Sequence, residues 1–227
     1  MLARIKATKK KGYVKTHRKG DTGIGKTLED LLGIKENNIP GPNGKRIELK
    51  SARQNSKSML TFLTKAPLPS KANSALLQAV GYPAANGKKH LHTTLNALSF
   101  NTIKTKSGLM VEAKRNKVVI IDADGKEYGY WDRNMLKEAF ERKLPSIAYV
   151  KADSKGTGAN EQFWYNEAWI LNGFSFANFI KLLKNGTILV DVRIGRYPNG
   201  SPHDHGTGFR VKLNKLDLCF SNRKKIM

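Results

Sequence analysis

Arg46-Ile47-Glu48-Leu49-Lys50 constrains the chain more than any other stretch. Ile47 and Leu49 alternate with Arg46, Glu48 and Lys50, the period-two pattern of a strand with one buried face. Glu48 and Lys50 then project together from the other face. A carboxylate and an ammonium placed in this way give one group that can hold a metal and another that can meet a phosphate. Glu-x-Lys also arises by chance in any charged strand, so the surrounding sequence decides its meaning.

Charge narrows the choice. The 227 residues carry 41 Lys and Arg against 18 Asp and Glu, a formal net charge of +23. Self-repulsion of that size opposes compaction, so the excess points to a polyanionic partner. Nucleic acid comes first. An anionic membrane comes second, but no strongly amphipathic basic helix supports it, and no apolar run is long enough to span a bilayer. Met1 to Lys19 is basic, has no acidic residue and lacks the apolar stretch of a secretory signal. Lys9-Lys10-Lys11-Gly12 reads as a flexible, DNA-contacting arm. Cys219 stands alone, which excludes a disulfide framework and any multi-cysteine zinc site. A soluble, cytoplasmic protein is expected.

The periodicities predict a mixed α/β body. Lys26–Ile34 sets Leu28, Leu31 and Leu32 on one helical face, and Gly33 stops it. After the turn residues Asn37–Gly44 comes the Glu48 strand, then a strand over Met59–Thr64 and a short helix over Leu76–Val80. Leu109–Ala113, Val118–Ile121 and Tyr128–Trp131 form a meander, separated by the turn pairs Arg115-Asn116 and Asp124-Gly125. Asp132 is placed to cap a helix reaching about Leu144. Strands follow at Ser146–Lys151 and Gln162–Leu171, a helix at Ala177–Leu183, and strands at Thr187–Ile194 and Gly208–Leu213. Trp131, Trp164 and Trp169 are expected in the core. No internal repeat or long linker appears, and 39% hydrophobic residues suffice for one core or two lobes.

One motif invites a different conclusion. Gly20-Asp21-Thr22-Gly23-Ile24-Gly25-Lys26-Thr27 fits the phosphate-cradling P-loop pattern of an ATPase or GTPase at every position, and Val118–Ile121 followed by Asp122 imitates its magnesium-holding strand. That loop requires a buried hydrophobic strand leading into it. Tyr13–Lys19 is too polar to lie inside a parallel sheet, and the later strands fall at hairpin spacing rather than alternating with helices. Asp122 sits beside the turn Ala123-Asp124-Gly125, where Asp is ordinary.

Taken together, Gly23–Leu32, a short loop and Ile47-Glu48-Leu49-Lys50 resemble the MutH-like branch of the PD-(D/E)XK nucleases. More closely, the chain resembles the monomeric MvaI/BcnI restriction endonucleases. Ser58–Pro67 is similar to the segment after that family's catalytic strand, Val190–Tyr197 to its late recognition strand, and His203–Arg210 to its recognition loop. The resemblance spans roughly residues 12–213 in order, with 82–160 diffuse. It implies a PD-(D/E)XK core and a two-lobed clamp on double-stranded DNA. Residues 1–107 would be mainly the catalytic lobe and 108–227 mainly the recognition lobe. It also implies a monomer that cuts one strand at a time at a short, nearly palindromic site.

Magnesium is the cofactor that the resemblance implies, with Glu48 as a ligand, Lys50 beside the attacking water, and Glu29 as an auxiliary carboxylate. The family's first metal-binding Asp lies five residues before the Glu, where this chain has Asn43. An amide keeps a carbonyl oxygen for the metal but removes its charge. Three readings stay open: an inactivated variant, a natural enzyme of weakened activity, or a non-cleaving, sequence-specific DNA binder. On the recognition side Asp191, Arg193, Tyr197, His203 and Arg210 are the candidates. Arg matches guanine O6 and N7, and Asp accepts from cytosine N4, which with the resemblance suggests a G·C-rich site of CC-N-GG type. Asp191–Arg193 also reads as a same-face ion pair, and His203 with His205 as a two-histidine metal pair lacking a third ligand.

Overall fold

A computed structural model describes residues 2–34, 47–84, 87–104, 106–144, 146–197, 202–204 and 206–227. For 106–107 and 202–204 it describes the backbone alone. In chain order the first elements are α1 (Leu2–Lys9), β1 (Val14–Lys15), α2 (Gly23–Leu31) and β2 (Glu48–Arg53). Next come β3 (Met59–Thr64), α3 (Ala72–Val80), β4 (Tyr82–Pro83) and β5 (Lys89–Leu95). The hairpin β6 (Thr102–Ile103) and β7 (Lys106–Ser107) precedes the meander β8 (Leu109–Ala113), β9 (Lys117–Asp122) and β10 (Glu127–Asp132). Then follow α4 (Arg133–Lys143), β11 (Ser146–Lys155), β12 (Gln162–Asn172) and α5 (Phe176–Lys184). The last strands are β13 (Ile188–Arg196), β14 (Pro202–Asp204), β15 (Gly208–Lys212) and β16 (Asn222–Lys225).

These elements gather into two units that interleave in sequence. One holds residues 1–58, 142–174 and 220–227, the other 59–141 and 175–219. This grouping differs from a division into consecutive halves at 107/108. The reason is strand pairing: β2 takes β11 as its parallel neighbour, with Ile147 opposite Glu48 and Tyr149 opposite Lys50. That pairing draws the β11–β12 hairpin, from far along the chain, into the first unit.

In the first unit the sheet runs β1-β12-β11-β2, with β16 also beside β12. Leu49, Ala148, Val150, Ala152, Phe163 and Tyr165 form its apolar face, covered by Ile5 of α1 and by Ile24, Leu28 and Leu32 in and after α2. Ile24, Leu28 and Leu32 recur at a four-residue spacing, so one stripe of the helix faces the sheet. Arg4 Nη1 donates to the Leu32 carbonyl at 2.9 Å, satisfying the end of α2. The flexible arm expected at the N-terminus is therefore in part a docked helix, because Ile5 and Thr8 are buried. Of the tryptophans, only Trp131 is fully buried. Trp164 is half-buried and donates to the Lys9 carbonyl at 3.0 Å, while Trp169, also half-buried, lies beneath Arg223 and Lys225.

The P-loop look-alike is a helix start. The strand before it is the two-residue β1, antiparallel to β12 at the sheet edge. Thr27 is buried and its hydroxyl accepts from the His17 N–H at 2.9 Å, while Lys26 pairs with Asp30 at 2.9 Å. A Cβ on Gly23 would collide with the Arg18 carbonyl, so that glycine serves close backbone packing. Asp122 accepts from the N–H groups of Asp124 and Lys126 at 3.1 and 2.9 Å, as a turn-holding Asp does.

The second unit is built on the sheet β3-β15-β13-β5-β4, with β14 paired to β13, and the separate meander β10-β9-β8. Val190, Val192, Ile194, Leu91, Leu95, Phe209 and Val211 form its buried face, in contact with α3 and α5. Asp132 accepts from Asn134 N–H at 2.8 Å at the start of α4, as its sequence position predicts. Strand β5 has no counterpart in the sequence reading.

Ile5→Ala should lower the unfolding free energy by about 2–4 kcal/mol, the usual cost of truncating a fully buried aliphatic side chain. Urea unfolding measures it. An unchanged midpoint would mean that α1 is not packed against the sheet.

Candidate active site and nucleic-acid interface

On β2, burial of Leu49 against the helices turns Glu48 and Lys50 to the other side of the sheet. Their side chains meet: Lys50 Nζ lies 3.0 Å from Glu48 Oε1. Glu48 is 5% exposed, and its second oxygen, Oε2, is buried with no hydrogen-bond partner among the described residues. A buried, unmatched carboxylate oxygen costs roughly 1–3 kcal/mol or more unless a ligand takes it.

The neighbouring carboxylates of this unit are in a different state. Glu161 takes both Nε and Nη2 of Arg53 at 2.7 and 2.8 Å. Glu167 accepts from Trp169 Nε1 at 2.9 Å and pairs with Lys151 at 3.1 Å. Asp153 accepts from Asn166 at 2.6 Å. Glu48 alone in this group keeps an open, inward oxygen, which is the donor a hard divalent cation requires. Glu29 lies on α2, partly buried. Asn43 lies outside the described residues. Among the described residues no group of three His, Cys, Asp or Glu converges as a metal-binding cluster.

Asp191, Arg193 and Arg210 collect on one face of the second unit's sheet. Asp191 is 2% exposed. Its Oδ1 accepts from Thr94 Oγ1 at 2.9 Å and its Oδ2 from Arg193 Nε at 2.6 Å, while Arg210 Nη1 forms an ion pair with Oδ2 at 3.1 Å. The ion pair read from the spacing is present, but on a buried carboxylate with two arginines rather than one. Asp191 thus holds both arginines in place. Gly208 lies opposite Asp191, and a Cβ there would sit 3.2 Å from Arg210 Nε. Its missing side chain gives Arg210 room to reach the carboxylate.

Arg210 is largely buried and its Nε has no hydrogen-bond partner among the described residues. Burial lowers its pKa from the ordinary value, the Asp191 charge opposing that shift and Arg193 adding to it. Arg193 is half-exposed. Tyr197 is exposed beyond the end of β13, and its carbonyl accepts from Lys88 Nζ at 3.0 Å. The backbone of His203 pairs with Gly195, while His205 lies outside the described residues.

The face also holds residues that the sequence reading missed. Cross-strand register sets His92 opposite Arg193 and Thr94 opposite Asp191, and His90 opposite Tyr82. Their signal was the alternation His90-Leu91-His92 with Leu95 beyond, a half-buried strand whose polar side carries imidazoles.

Compared with known proteins, residues 2–220 match the model of the MvaI/BcnI restriction endonuclease family. A solved structure described as a complex of restriction endonuclease MvaI with its cognate DNA substrate is 30% identical. It aligns over all of this chain and 96% of its own, with a TM-score of 0.89. A structure of MvaI in the absence of DNA, also 30% identical over the same shares, gives 0.57. Among curated proteins nothing matches.

Asp191→Ala should destabilise the protein by about 2–4 kcal/mol, somewhat below the ~3–5 kcal/mol of a fully buried pair because Arg193 stays partly hydrated. Thermal unfolding tests this. A change within ~0.5 kcal/mol would show that the two arginines do not depend on Asp191.

Proposed function

Because the chain belongs to the MvaI/BcnI restriction endonuclease family of the PD-(D/E)XK superfamily, we propose that it is a site-specific, magnesium-dependent endonuclease of double-stranded DNA. The observation that carries this reading is the buried, half-satisfied carboxylate of Glu48 held against Lys50. Its open oxygen suits a divalent cation, with Asn43 as a second oxygen donor and Glu29 as an auxiliary one. Magnesium there would neutralise charge on the scissile phosphate and acidify an attacking water. Lys50 does two things. Its ammonium pairs with Glu48 Oε1, and it would orient the water and stabilise the added negative charge of the transition state.

Base reading falls to Arg193 and Arg210, whose guanidinium groups converge on Asp191 and so present a fixed pair of forks. Fixed guanidinium geometry suits guanine O6 and N7. Tyr197 and His203 would complete the contacts. Taken with the family, this supports a G·C-rich site of CC-N-GG type, cut by a monomer one strand after the other. Asn43 supports a second reading, in which the same fold binds DNA specifically and cuts weakly or not at all, because the site has one carboxylate charge fewer than the family pattern.

Asn43→Asp should raise magnesium-dependent cleavage of plasmid DNA by at least ~100-fold through the restored ligand charge. Equal activity of the two proteins would remove Asn43 from the metal site. In the Asn43→Asp background, Lys50→Ala should abolish cleavage while leaving duplex affinity within about threefold, a contact of less than 1 kcal/mol. Cutting at full rate by that variant would show that the catalytic strand lies elsewhere. Arg193→Ala should cost about 1–3 kcal/mol of discrimination between target and scrambled duplex. Competitive binding measures it, and an equal loss on both duplexes would make Arg193 a phosphate contact.

A further inference from the structure

The last strand of the chain carries a cationic pair that neither cleavage nor base reading uses. In β16, Arg223 and Lys225 flank Lys224 and project together from one face. The residues that follow anchor the strand. Ile226 and Met227 pack against the first unit's core, Ile226 N–H donates to the Ala168 carbonyl at 2.9 Å, and Ala168 N–H donates to the Met227 carbonyl at 3.2 Å. Cross-strand register then fixes which face the cations take. Lys225 lies opposite Trp169, Trp169 opposite Tyr149, and Tyr149 opposite Lys50. Directly opposed residues share a face, so Lys225 stands on the side of the sheet that bears Glu48 and Lys50. Strand β16 also lies beyond residues 2–220, the stretch matched by the family model.

Trp169 carries both cations: Arg223 Cζ lies 5.2 Å and Lys225 Nζ 5.5 Å from its ring centroid. Its indole N–H is committed to Glu167 at 2.9 Å. Glu167 in turn meets Lys151 at 3.1 Å and Lys225 at 3.9 Å, so one carboxylate serves two ammonium groups. Ile147 and Leu171 of this face are buried, whereas Lys50, Lys151 and Trp169 are partly open and Lys225 is exposed. The open part is a track from Lys50 on β2, past Lys151 on β11 and the indole on β12, to β16. Three strand spacings separate β2 from β16, about 14 Å. Each strand of a duplex presents a phosphate per ~3.4 Å of axis, so that span matches about four base-pair steps. Charge on an edge strand also blocks pairing between sheets. Any of the three β16 cations would serve that end, whichever face it took, and none would need an indole beneath it.

We propose that Arg223 and Lys225, carried on Trp169, form a contact for the phosphate backbone of duplex DNA flanking the recognition site. The inference rests on the DNA-binding reading above. Cations already ordered on an indole lose less side-chain freedom when a phosphate arrives. A backbone contact carries no sequence information, so it acts on all duplexes alike. It holds the flanking duplex against the sheet face that presents Glu48 and Lys50.

The test is fluorescence-anisotropy binding without divalent metal, at several salt concentrations. The probes are a CC-N-GG duplex, a scrambled duplex, and a CC-N-GG duplex whose flanking phosphates are replaced by neutral methylphosphonates. The protein as it stands is compared with Arg223→Gln/Lys225→Gln, with Arg223→Lys/Lys225→Arg and with Lys224→Gln. The double glutamine variant should lose at least about threefold in affinity on target and scrambled duplex alike, and about one to two units of salt slope. The charge-keeping exchange should bind as the parent does, and Lys224→Gln should lose clearly less than the double variant. Methylphosphonates should weaken the parent and leave it level with the double variant. Should the double variant unfold at a lower temperature than the parent, Lys225→Gln alone carries the test, with about half the change in slope. If the parent binds neither natural duplex, the DNA-binding reading itself fails, and this inference with it. If the parent binds and the double variant matches it, or loses affinity for the target only, the backbone contact is overturned. It is overturned equally if Lys224→Gln loses as much, or if methylphosphonates weaken parent and variant by the same factor.

Discussion

The parallel pairing of β2 with β11 is the constraint on which the candidate cleavage centre depends. It places Glu48 opposite Ile147 and Lys50 opposite Tyr149, and commits Leu49 to the helix-covered side with Ala148 and Val150. A slip of one residue would exchange the faces and drive a carboxylate and an ammonium into that core. The hydrophobic burial of one leucine thus fixes where two charged side chains point. Tyr149, across from Lys50, is buried, and its phenol is pushed up to about 12 by that burial. In such surroundings a half-satisfied carboxylate is costly to keep without a ligand.

The second unit follows the same logic with the signs reversed. A buried aspartate gathers two arginines, and the strand pattern that buries Val190 and Val192 presents Asp191 and Arg193 on the opposite face. The cost of orienting two long cationic side chains is met within the free protein, before any partner arrives. Each unit therefore offers one preorganised charge arrangement on a sheet face whose reverse is core. The large positive balance of the chain favours a polyanion at both.

Much of this was legible in the residues. Strict alternation and turn pairs locate β3, β8, β9 and β10 to within a residue or two, and Asp132 marks the start of α4. Glu48, Lys50 and the Asp191–Arg193 pair were readable because period two is unambiguous in a half-buried strand. Three things were not. The docking of α1 depends on Ile5 meeting a sheet made mostly of residues beyond 140, a tertiary contact with no local signature. The interleaved units depend on β11 pairing with β2, which spacing cannot reveal. Strand β5 was hidden because Thr93 interrupts the apolar side of Lys89–Leu95, between Leu91 and Leu95. Asn43 was legible as a departure from a family pattern, and its placement is outside the described residues.

On this reading Glu48 is a metal ligand at a cleavage centre. Manganese binding followed by electron paramagnetic resonance, in the presence of duplex DNA, tests it without relying on turnover. This chain should bind the ion, and Glu48→Gln should weaken binding by at least about tenfold, since even an outer-shell partner contributes that much. Unchanged manganese affinity in Glu48→Gln would contradict the account.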